Sequence, residues 1–185
     1  LSRSALEIGV CHFHMPKFDN KSEEELLDYV SIFRDDSIYA VAQLLRMGTD
    51  IEKIYEITRI TRYFLKAIKK ITDYEKVMLA NVGDVETLKG AKVLGFSDKF
   101  IAKLWNMPET EIWNLRVNNS VMPVFRMVDT CHTNAYIPYF YSSYTGEHQS
   151  IVTDRKKTVV LGAGPIRIGQ GVEFDYSTVH AVTTI

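Results

Sequence analysis

Three clusters of residues in this sequence have the types and spacing for chemistry. The first is "TVVLGAGPIRIGQGVEFDY", residues 158–176, where a β-branched run enters a glycine-rich turn. Such a turn can cradle phosphates, but the two usual spacings fail. A dinucleotide fingerprint would need a third glycine where Arg167 stands after Gly162 and Gly164. A P-loop would need Lys and Ser/Thr where Gln170 and Gly171 follow Gly169. The second cluster is "VCHFHMP", whose Cys11, His12 and His14 are all capable zinc ligands. Structural zinc takes four ligands in paired groups, and Cys131-His132 is the only other pair on offer. We read "VCHFHMP" as a solvated loop with incidental histidines and expect no metal site. The third is "GFSDKFIAKLWNMPETEIWNLR", which has the rhythm of a helix-turn-helix. Its second helix offers Glu109, Glu111 and a single Arg116, whereas a DNA reader needs basic and amide side chains there.

The elements around these clusters are mostly helical. Over residues 23 to about 119 the apolar positions recur at helical spacing. "SEEELLDYVSIF" begins with a capping box, Ser22 with Glu25. "DDSIYAVAQLLRMG" carries Ile38, Val41, Ala42, Leu44 and Leu45 on one face and ends at Gly48. "TDIEKIYEITRI" has Ile51, Ile54, Tyr55 and Ile57 as its apolar side. "TRYFLKAIKKITDYEKVML" follows with Phe64, Leu65, Ile68, Ile71 and Val77 or Met78. Three shorter helices, "DVETLKGAKVLG", "SDKFIAKLW" and "PETEIWNLRVNN", complete the set. Their aromatics, Phe96, Phe100, Trp105 and Trp113, suggest an apolar patch for self-association, although some must be buried to hold such small helices together. Arg59, Arg62, Lys66, Lys69 and Lys70 form a basic face that reads as solvated or partner-facing.

From Val121 the period changes. "VMPVFRMVDT" and "AYIPYFYSSYTG" are Val-, Phe- and Tyr-rich and interrupted by Pro123 and Pro138, so they read as extended. "QSIVTDRKKT" is a polar linker, and "KTVVLGAG" reads as a buried-type strand. No apolar run approaches the ~20 residues that a membrane helix needs. With a formal net charge of −1, nothing argues for a general nucleic-acid or anionic-membrane partner. The two cysteines make no disulfide framework, and a cytoplasmic setting is the default expectation. Leu1 in place of Met suggests a chain taken from something longer.

Together these stretches resemble one family, the large subunit of carbamoyl phosphate synthetase. "RSALEIGV" is similar to the close of its first synthetase half. "FLKAI" and "GFSDKFIAKL" resemble its oligomerisation domain, and "VMPVFRMVDTC" its connecting strap, with Met127 where the family usually carries Arg. "VVLGAGPIRIGQGVEFDYSTVHA" resembles the start of the second half. Gln170, Gly171, Val172 and Glu173, with Val179, His180 and Ala181, match the second-half form of that loop.

The resemblance implies a mainly α fold: a multi-helix oligomerisation domain, an extended strap, then the first strand and loop of an α/β pre-ATP-grasp domain. The implied boundaries are 1–20 for the end of the first half and a linker, 21–120 for the helical domain, 121–157 for the strap and 158–185 for the start of the second half. The parent enzyme is a ligase that makes carbamoyl phosphate from bicarbonate, glutamine-derived ammonia and two molecules of ATP, for pyrimidine and arginine synthesis. It needs Mg²⁺ or Mn²⁺ and a glutaminase small subunit. This chain is then an assembly and connector segment, without catalytic, cofactor-binding or metal-binding residues of its own. Its partners are the remaining domains of the large subunit and a second copy, with neither nucleic acid nor membrane. Arg167, Gly171 and Glu173 match the loop that borders the carbamate part of an internal tunnel. A free-standing helical adaptor or DNA-binding module is the alternative.

Overall fold

The computed structural model describes residues 12–129, 135–162 and 173–185, with the backbone alone for 173–175. It divides into a unit spanning 10–149 and a second unit whose described residues run over 150–162 and 173–185. Seven α-helices among the described residues build most of the first: α1 (Glu23–Ser31), α2 (Ser37–Met47), α3 (Ile51–Thr58), α4 (Arg62–Ala80), α5 (Val85–Val93), α6 (Asp98–Trp105) and α7 (Glu109–Asn118). A two-stranded antiparallel hairpin follows, β1 (Val124–Met127) and β2 (Phe140–Ser143), with Val124 opposite Ser143. The fold is mainly α, as the sequence leads one to expect.

Local chemistry fixes the helix ends. The Ser22 hydroxyl accepts from the Glu25 amide while the Glu25 carboxylate accepts from the Ser22 amide, so two otherwise orphaned donors are satisfied. Asp50, Asp84 and Ser97 cap α3, α5 and α6 with their side chains. Gly48 closes α2 in the left-handed region at φ 93°, and Asn106 closes α6 there at φ 53°.

Two apolar cores share one helix. Phe18, Leu26, Val30, Leu44, Leu45 and Ile54 form the first core with Leu65 and Ile68 of α4. Leu88, Phe96, Ile101, Trp105 and Ile112 form the second with Met78, from the far end of α4. At 19 residues α4 is about 28 Å long, enough to run through both. The Trp105 indole nitrogen donates to the Met78 carbonyl at 2.8 Å, so the buried ring leaves no orphaned donor. Where α4 passes α5, a methyl group at Gly90 would lie 2.0 Å from the Tyr74 hydroxyl, so any side chain there would have to displace that ring.

In the second unit α8 spans Glu173–Thr184. The strand read into "KTVVLGAG" does not form over its described residues. Val159 is 82% exposed and Leu161 89% exposed. A strand patterned for burial needs neighbours to satisfy its amides and cover its faces, and no described residue pairs with it.

Candidate functional site

Arg167 and Gly171 lie outside the described residues, as does the side chain of Glu173; Cys11, Cys131 and His132 lie outside them too. What the described residues bring together is two buried ionic clusters and one open apolar groove.

The first cluster sits where the chain enters the helical unit. Arg46 lies in the last turn of α2, and its Nε donates to Glu75 Oε2 at 2.7 Å while Nη2 donates to Oε1 at 2.8 Å. The same Nη2 donates to the Phe13 carbonyl at 2.5 Å. His12 Nε2 lies 2.6 Å from Glu75 Oε1, and its ring stacks on Phe100 and Phe96 with centroids 3.9 and 4.7 Å away. Burial raises the Glu75 carboxyl, but hydrogen bonds from Arg46 and His12 outweigh it and leave the group below its ordinary value. This corrects the reading of "VCHFHMP" as a solvated loop with incidental histidines. The His12 side chain is only 8% exposed, because stacking on two aromatic rings and pairing with a buried carboxylate favour the interior. His14 lies 2.8 Å from Asp19 on the surface.

The second cluster ties the hairpin to the helices. Arg116 on α7 donates twice to Asp98 Oδ2, at 2.9 and 2.6 Å, and its Nη1 donates to the Val121 carbonyl and the Tyr144 hydroxyl. Lys92 Nζ donates to Asp98 Oδ1 at 2.8 Å and to the Phe96 carbonyl. Burial pushes Asp98 upward, yet the hydrogen bonds of Lys92 and Arg116 hold it below its ordinary value. Burial also pulls Lys92 down, and Asp98 only partly offsets this. Arg116, the single cation of the helix-turn-helix reading, is thus 4% exposed and committed to Asp98, which removes it as a contact for a nucleic-acid phosphate.

The groove opens between the α1–α2 loop, α3 and α4, with a cavity of about 580 Å³. Ile38, Ile57, Ile60, Phe64 and Ile68 are among its lining residues, and Phe33 stands on its lip with 95% of its surface exposed. This relocates the apolar patch expected among the small helices. Phe96, Phe100 and Trp105 are buried in the second core, because helices this short can form a core only by spending their aromatics on it, and Trp113 alone stays half exposed. The basic face is partly neutralised: Arg62 grips Glu52 through Nε and Nη2 and lies over the Tyr55 ring, and Lys69 pairs with Asp73.

Sequence reading missed Glu75 and Arg46. One signal was available, since Leu65, Ile68, Thr72, Glu75 and Met78 share one stripe of α4 and a carboxylate on such a stripe calls for a partner. No helix among the described residues is long and apolar enough to cross a membrane. The family described as "Carbamoyl-phosphate synthetase large chain, oligomerisation domain" matches residues 2–120. The one described as "Carbamoyl phosphate synthase preATP-grasp domain" matches residues 154–185. The first match alone covers well over half of the chain, and the second follows it in order: this chain belongs to the carbamoyl phosphate synthetase large chain family.

Proposed function

We propose that this chain is the assembly and connector segment between the two synthetase halves of a glutamine-dependent carbamoyl phosphate synthetase, and that it does no chemistry by itself. One observation carries the reading: an oligomerisation domain is followed on the same chain by a pre-ATP-grasp match. The parent is a cytoplasmic ligase. Its ATP and Mg²⁺ or Mn²⁺ are held by its other domains, and its ammonia comes from a glutaminase small subunit. Phosphoryl transfer requires carboxylates placed for a divalent cation and a cradle for the nucleotide. The carboxylates buried here, Glu75 and Asp98, are already committed to Arg46, Lys92 and Arg116. The exposed apolar residues of the second unit, such as Val159 and Leu161, suit packing into a complete α/β domain.

In this reading Arg167, Gly171 and Glu173 border the passage for carbamate. Glycine lets backbone line a channel closely, and paired charges orient a small anion by charge-assisted hydrogen bonds. The full-length enzyme tests it with Gly171→Leu and Glu173→Ala. Overall synthesis falls steeply, while bicarbonate-dependent ATP hydrolysis and ATP formation from carbamoyl phosphate largely survive. Parallel loss of all three activities overturns the passage role. ATP-dependent carbamoyl phosphate formation by the isolated chain overturns the connector role.

A further inference from the structure

We infer that Tyr144, seated against Arg116 and Lys92, is a releasable latch: the hairpin of the strap comes away from the helices as one body, about a joint at Met122 and Pro123, while the helices stay folded. This rests on the connector reading and gives the connector a moving part.

The hairpin needs no helix for its own backbone. One edge of β1 pairs with β2. The other edge is met by the chain's own continuation: the Phe125 amide donates to His148 Nδ1, the Met127 amide to Gln149 Oε1, and the Gln149 amide to the Phe125 carbonyl. Nor does the hairpin share the apolar cores. No residue of either strand is buried, and Phe125 and Tyr141 are about half exposed. A segment with so little buried apolar surface opens at a cost well below that of global unfolding.

Its attachment is polar and local. Within 124–127 and 136–149, Tyr144 makes the one hydrogen bond to a helix among the described residues, its hydroxyl accepting from Arg116 Nη1 at 2.9 Å. The Lys92 ammonium stands over the same ring, 5.0 Å from its centroid. Both cations also hold Asp98, so release of the ring strands no buried charge. The joint follows from where the anchoring stops. Val121 is buried, its amide donating to the Arg116 carbonyl and its carbonyl accepting from Arg116 Nη1. Met122, next along, is 45% exposed, and Pro123 has no amide to bond.

Hydrogen–deuterium exchange on the 185-residue chain tests the latch. In the wild type, amides of 124–127 and 140–143 should exchange faster than those of α4. An undocked hairpin is marginal in water, so undocking is read directly as exchange. Tyr144→Phe keeps the ring and loses the hydroxyl bond, and should speed the hairpin amides roughly tenfold. Tyr144→Ala removes both contacts and should speed them further. In both variants the amides of α1 to α6 should keep their wild-type rates, and the circular-dichroism melt should not move. Hairpin rates unchanged in both variants overturn Tyr144 as the latch. Helix rates that rise in step with the hairpin's overturn release as a separate body. Neither result touches the connector reading, which falls only to carbamoyl phosphate formation by the isolated chain.

Discussion

Ile54 in α3 and Leu161 in the C-terminal unit are both large aliphatic residues in stretches patterned for burial. Ile54 is fully buried, packed in the first core among residues of α1, α2 and α4, whereas Leu161 is 89% exposed. The helical unit closes on itself because each helix satisfies its own backbone and needs only one apolar stripe covered. A parallel-type strand satisfies neither its backbone nor its faces alone. The contrast shows why one unit of this chain can be a stable body while the other presents its apolar side chains to solvent.

The largest effect expected within that contrast is at Trp105. Trp105→Ala removes a buried ring and its bond to the Met78 carbonyl, and should cost ~4 kcal/mol in urea unfolding. A loss under 1 kcal/mol would mean that the second core does not hold the unit together. Next comes the ionic clamp. Arg46→Ala leaves Glu75 buried with only His12 beside it, and should cost ~3 kcal/mol.

The same group sets a pH dependence. Glu75 is held below its ordinary 4.5 and Asp98 below its ordinary 3.8, so the unfolded chain takes up these protons first as pH falls. Their contribution is complete above the ordinary values and is lost as pH drops through the folded ones. Unfolding curves should show stability level from pH 6 to about 5 and declining below about 4.5, with a shallower decline in Glu75→Gln. The smallest effect is at the other pole of the comparison. Leu161→Ala should change stability by less than about 0.5 kcal/mol, because nothing described covers that side chain. A larger change would show that the C-terminal unit has a core of its own.

Features carried by neighbouring residues were legible in the sequence. The Ser22–Glu25 box, the Gly48 stop and the caps at Asp50, Asp84 and Ser97 each depend on residues a few positions apart. The site features were not, because their partners are distant. His12 and Glu75 are separated by 63 positions, and Arg46 and Glu75 by 29. Trp105 and Trp113 both lie in short helices, and it is the bond to the Met78 carbonyl on α4 and a place in the second core that separate the buried ring from the half-exposed one. The groove was invisible for a related reason. Phe33 lies just beyond the end of α1, and only the tertiary turn into α2 brings it over the residues of α3 and α4.

The unbroken run of α4 has a consequence for how the unit opens. Leu65 and Ile68 are anchored in one core and Met78 in the other, with Thr72 and Glu75 buried between them. Releasing the amides of the middle turns to solvent therefore requires both ends of the helix to come free. Neither half can exchange its protons as a separate foldon without tearing the spine they share. The slowest-exchanging amides of the protein belong on Thr72 to Glu75, and the opening that frees them is global.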